Sequence, residues 1–171
     1  FASIRDALII ELLFVTMIRR DELLTIKLAD IEIDEQRITI HGKGNKERYC
    51  YFGTDTARRI NHYIDKTRKL SPHAHKSPYL FVSQCSEKLS ATQLYNIVSG
   101  AMQSISVKKE GMGAHTLRRS GATNYYNKGA DIYTISNALG HANIATTQRY
   151  VRPNEENIKR LMQSGNNILI S

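Results

Sequence analysis

The chain reads as a mainly α domain with a small antiparallel β-sheet (α+β), an expectation that rests on three patterns. Apolar residues recur at three- and four-residue spacing over much of the 171 residues, most clearly at Leu94, Ile97, Val98, Ala101, Met102 and Ile105. Three short β-like runs, 31–33, 37–40 and 48–52, fall in one stretch, and a glycine-bearing tip, HGKGNKE, separates the last two. The 41% hydrophobic and 23% charged composition is that of a soluble globular protein, long enough to bury one core, so residues 1–171 are expected to form a single domain.

Taken in order, Ser3 and Asp6 mark a helix start, and residues 7–18 are apolar on almost every face, which predicts a central buried helix. Glu11 breaks that run, which is also too short to span a bilayer. Arg19, Arg20, Asp21 and Glu22 interrupt, then Leu23, Leu24, Ile26 and Leu28 resume a shorter helix ahead of the strands. Residues 54–70 form a basic helix with Arg58, Arg59, Lys66, Arg68 and Lys69. A loop at 71–78 holds two of the three prolines, and 79–82 is expected to add a short strand. Ser90 and Gln93 make a capping box. Residues 107–113 are a basic loop with Lys108 and Lys109. Helices follow at 116–127, at 131–139 with Gly140 as the stop, at 143–150 and at 153–162, before an apolar tail at 168–170. There is no internal repeat.

A net charge of +8 favours a polyanionic partner, and double-stranded DNA rewards clustered Lys and Arg through counterion release. Charge alone is also compatible with a merely basic soluble protein. Cys50 and Cys85 form neither a disulfide framework nor a zinc set, which suits a reducing compartment. No leader pattern opens the chain, so a cytoplasmic location is expected. The abrupt start, three residues before a helix, suggests a domain cut from a longer protein.

Several scattered groups have chemistry in common. His115 and Arg118 in HTLRR are three apart, so a helix there aims both toward one point, where a helix N-terminus favours an anion. In LGHANIATTQRY, His141 follows the Gly140 turn, and Tyr150 is displaced by about 120° from the stripe shared by Ile144 and Val151. Tyr150 can therefore face a groove, or pack half-buried with a bonded hydroxyl. Arg19 ends an apolar helix and needs an anion. Glu22 can supply one internally, or a DNA phosphate can accept the guanidinium with Glu22 orienting it. Lys43 in GKGNKER is a long ammonium on a hairpin tip, able to reach into a groove, while Lys46 and Arg48 are placed to hold backbone phosphates. The segment lacks the Walker pattern.

Together, Arg19 in TMIRRDELL, Lys43 in HGKGNKER, His115 and Arg118 in HTLRR, and His141 and Tyr150 in LGHANIATTQRY resemble the signature of the tyrosine recombinase (phage integrase) family. The match runs essentially from end to end of that family's C-terminal catalytic domain and implies its fold. It implies that Arg19 and Arg118 are the catalytic arginines, Lys43 the hairpin lysine, His115 and His141 the two histidine-type positions, and Tyr150 the nucleophile. Many relatives have T-G-L-R where this chain has Thr16-Met17-Ile18-Arg19, so the first helix is expected to run a little further here. Arg119 stands where a histidine is often seen, and Arg119, Lys46, Arg48, Arg58 and Arg59 are candidate DNA contacts. Lys66, Arg68 and Lys69 of the basic helix, with Lys108 and Lys109, are expected to help hold DNA or to form a solvated face.

The implied reaction is transesterification of DNA without metal, cofactor or ATP. A tyrosine hydroxyl is barely ionised near neutral pH, so His115 would take its proton. Arg19, Arg118 and His141 would stabilise charge on the phosphorane-like transition state, and Lys43 would protonate the departing 5′-oxygen. The close pair His73 and His75 lacks a Cys or acidic partner nearby and reads as solvent-exposed. The resemblance further implies an N-terminal DNA-binding domain beyond this chain and a homotetramer on paired DNA sites, linked through the C-terminal segment. It implies a bacterial cytoplasmic protein, nucleoid-associated when on DNA. The first role expected is integration or excision of a phage or other mobile element. The alternatives are a Xer-like resolvase of chromosome or plasmid multimers and a catalytically silent DNA-binding regulator.

Overall fold

The computed structural model describes residues 2–42, 47–104, 113–141 and 143–148. The chain divides into two compact units, residues 1–121 and 122–171.

In the first unit, α1 (Ala2–Val15) buries Arg5, Leu8, Ile9, Leu12 and Leu13, a three-and-four spacing that gives it one inward face. Ile4 stays exposed, so α1 is less enclosed than its composition suggests. The helix stops at Val15, earlier than expected, because Met17 takes a left-handed conformation (φ 53°). A short α2 (Arg20–Thr25) follows, and Glu22 in its first turn accepts the N–H of Arg19 at 2.7 Å. The sheet comprises β1 (Ile31–Glu32), β2 (Arg37–His41) and β3 (Glu47–Tyr51), antiparallel in the order β1-β2-β3. Ile38 sits opposite Cys50 and Ile40 opposite Arg48, so these four share the inward face.

The basic segment is helical from α3 (Thr54–His62) through a wider turn, Tyr63–Thr67, to a last tight turn, Arg68–Leu70. Ala57, Ile60, Tyr63 and Thr67 line its buried side. The strand expected at 79–82 does not form. Tyr79 makes one isolated bridge to Lys27, and Leu80 donates its N–H to the Ile26 carbonyl at 2.8 Å. Leu80 and Phe81 nonetheless join the core, beside Leu94 and Val98 of α4 (Ala91–Ser104) and Leu117 of α5 (Ala114–Asn127). The capping box ahead of α4 forms as expected. Ser90 N–H donates to Gln93 Oε1 at 2.9 Å and Gln93 N–H to Ser90 Oγ at 3.1 Å.

In the second unit, Asp131 caps α6 (Ile132–Leu139) by accepting the Thr134 N–H at 2.9 Å. Gly140 ends it at φ 62°, and α7 (Ile144–Gln148) packs against it. The helix expected at 153–162 and the tail lie outside the described residues. Among the described residues no helix is long and apolar enough to cross a membrane.

Candidate active site

One carboxylate organises the candidate residues of the first unit. Glu22 accepts the backbone N–H of Arg19 and, at 2.9 Å, its Nη1. The same carboxylate accepts Nη1 and Nη2 of Arg48, both at 2.8 Å. Glu22 keeps only 10% of its side chain exposed, Arg48 19% and Arg19 45%. Burial by itself raises the Glu22 carboxyl. Hydrogen bonds from Arg48 and Arg19 and the Arg48 charge outweigh that and hold it down to about 2. Glu22 is therefore ionised at any pH near neutrality.

Arg48, a candidate for a DNA phosphate, is paired with Glu22 in this structure. The pleat of β3 turns positions 48 and 50 inward together, so the guanidinium meets Glu22 instead of solvent. On the same face of β3 the buried Cys50 thiol is raised, because burial, helped by Glu22, outweighs the lowering by Arg48 and Arg118.

Arg118 reaches the same neighbourhood from α5. It is only 4% exposed, and its Nη1 donates to the carbonyl of Met17, 101 residues away in sequence and two before Arg19. Two features absent from the sequence reading make this possible. The left-handed Met17 ends α1 and turns its carbonyl toward Arg118. Gly121, one turn beyond Arg118, lies so close to α1 that a Cβ there would run into the Phe14 carbonyl. His115 sits in the first turn of α5, exposed, one turn before Arg118.

His141 belongs to the second unit. Its backbone N–H bonds the Ser136 carbonyl at 3.1 Å across the Gly140 turn, and its Nδ1 meets Thr147 Oγ1 at 2.9 Å. Thr147 is fully buried, so it fixes the ring from the α7 side. When Thr147 donates to Nδ1, Nε2 carries the proton and acts as a donor. Lys43, Lys46 and Tyr150 lie outside the described residues, as do Lys108 and Lys109.

The other candidate DNA contacts divide. Arg119 is exposed. Arg58 is exposed and paired with Asp55, while Arg59 bonds Glu11 at 2.7 Å. Arg68, expected in the basic DNA-facing helix, is buried and donates to the carbonyls of Ala74, Ser77, Tyr79 and Leu80. The signals for Arg48 and Arg68 were in the sequence. Arg48 alternates with Cys50, and Arg68 falls on the Ala57–Ile60–Ile64 stripe. No local signal marked Thr147 or the Met17 carbonyl, whose partners are remote.

The family model described as "Phage integrase family" matches residues 1–157. Tyrosine recombinase XerC of Bacillus subtilis (strain 168) is 32% identical over 165 residues, covering 95% of this chain and 54% of that protein. XerC of Staphylococcus epidermidis (strain ATCC 12228 / FDA PCI 1200) is 32% identical over 161 residues, covering 93% and 53%. The chain thus spans about half the length of these relatives. Among solved structures, XerH site-specific recombinase bound to difH substrate in a pre-cleavage complex aligns with TM-score 0.77 and 28% identity, over 94% of this chain and 46% of that one. The crystal structure of XerA recombinase shares the fold, with TM-score 0.76 and 24% identity over 94% and 62%. A mostly helical fold with one small antiparallel sheet, and a family match over nearly the whole length, lead to one conclusion: the chain belongs to the phage integrase family.

Proposed function

We propose that this chain is the catalytic domain of a tyrosine-type site-specific DNA recombinase that cuts and rejoins DNA through a covalent 3′-phosphotyrosyl intermediate. The carrying observation is that Arg118 anchors to the carbonyl two residues before Arg19, which supports a shared phosphate for the two guanidiniums. Family membership and the likeness to XerH in its substrate-bound form support the same reading.

Tyr150 Oη attacks phosphorus and loses its proton to His115. The 5′-oxygen leaves with the P–O bond's electron pair and takes a proton from Lys43. Arg19, Arg118 and His141, with Nε2 as donor, stabilise the charge gathering on the equatorial oxygens. The product holds a 3′-phosphotyrosine and a free 5′-hydroxyl. Because one phosphodiester replaces another, a second 5′-hydroxyl reverses the step without ATP or a metal. The working form is a homotetramer on two DNA sites in the bacterial cytoplasm.

The XerC relatives favour resolution of chromosome or plasmid multimers over the phage or mobile-element role expected first. Recombination of a plasmid carrying two directly repeated host sites, against integration at an element's own site, separates the roles.

The chemistry is tested with a nicked suicide duplex carrying the cognate site. The full-length protein should accumulate a covalent adduct, and Tyr150→Phe should abolish it with DNA binding retained. No adduct with the unaltered protein would favour the silent-regulator alternative.

A further inference from the structure

Among the described residues of the first unit, three arginines are mostly buried without a part in the reaction above: Arg5, Arg48 and Arg68. Arg5 and Arg68 reach carbonyls of the 71–83 region and hold that loop. Arg48 is different. Both of its terminal nitrogens are committed to the carboxylate that also holds Arg19, and it comes from β3, the strand that begins at Glu47.

We propose that Arg48 is a positioning residue for Arg19: it shares the Glu22 charge, so that Arg19 keeps its own positive field for the DNA phosphate. The inference rests on the proposed function and deepens it. One carboxylate between two guanidiniums leaves the trio with a net positive charge. Without Arg48 the carboxylate remains ionised in a half-closed setting and Arg19 alone must neutralise it. The guanidinium is then drawn toward Glu22, and its attraction for the scissile phosphate falls. Geometry points the same way. Glu22 is held from two sides, by the α2 N-terminus and by β3, and removing one side lets the carboxylate, and Arg19 with it, shift.

The test is single-turnover adduct formation by the full-length protein on two nicked duplexes, one with the ordinary scissile phosphate and one with a methylphosphonate there. Arg48→Ala should slow cleavage of the phosphate about 10²-fold, the cost of a misplaced clamp. On the methylphosphonate, which lacks the non-bridging charge, the loss should be at least about tenfold smaller. Adding Glu22→Gln to Arg48→Ala should recover about tenfold, because a carboxamide no longer neutralises Arg19. Arg48→Lys keeps the charge and should stay within about tenfold of the unaltered protein. A role confined to holding the fold predicts equal losses on both substrates, and that result, or no recovery in the double variant, overturns the proposal. Should Arg48→Ala fail to fold, the double variant buries no unpaired charge. It should then cleave the phosphate within about tenfold of the unaltered protein, and an equal, larger loss on both substrates would again be fatal. Absence of any adduct with the unaltered protein would sink the recombinase reading itself, a separate outcome seen before any variant is compared.

Discussion

Met17 shows how one residue can meet a backbone demand its side chain does not suit. It sits at φ 53°, where an L side chain costs about 1–2 kcal/mol. A glycine would relieve that cost. Yet Met17 is only 4% exposed, and losing a buried side chain of that size costs about 2–5 kcal/mol. Burial wins, so Met17→Gly should destabilise the protein. Met17→Ala loses the same packing and keeps most of the backbone strain. Glycine should therefore be the more stable of the two by about 0.5–1 kcal/mol, after allowing for its freer unfolded chain. Denaturant unfolding of both variants checks this, and an alanine form as stable as the glycine form would refute the left-handed turn. The turn matters for chemistry because it presents the carbonyl that anchors Arg118.

At the scale of elements, the approach of α5 to α1 sets where Arg118 can stand. Gly121 is the point of closest contact, and an added methyl must push the helices apart. Gly121→Ala should cost about 2–3 kcal/mol and slow cleavage, since Arg118 lies one turn away on the same rigid helix. Gly100, inside α4, is the natural comparison, because open space surrounds its missing Cβ. Gly100→Ala should stabilise by about 0.5–1 kcal/mol through helix propensity alone. Thermal unfolding of the pair separates steric crowding from propensity. If Gly121→Ala raises the midpoint as Gly100→Ala does, the close α1–α5 contact is wrong.

For the whole molecule, a net charge of +8 overstates the cations available to DNA. Arg48 is paired with Glu22, and Arg68 is buried on four carbonyls of the loop after its helix. Arg68→Met strands those carbonyls in the interior and should cost at least about 3 kcal/mol of stability. It should leave the slope of DNA affinity against salt unchanged, because that slope counts phosphates neutralised by surface cations. A shallower slope without lost stability would put Arg68 back at the DNA.

Elements carried by local pattern were legible in the chain: the capping box at Ser90 and Gln93, the stop at Gly140 and the two strands flanking the hairpin tip. Capping, turn and pleat depend on neighbours a few residues away, which a sequence displays directly. The end of α1, the acceptors that Arg48 and Arg68 find, the Thr147 contact to His141 and the failure of the 79–82 strand were settled by tertiary packing. Arg118 meets its acceptor 101 residues away. A long cationic side chain costs little to expose and much to bury unpaired, so whether it faces DNA or the interior is decided by which acceptors folding brings within reach.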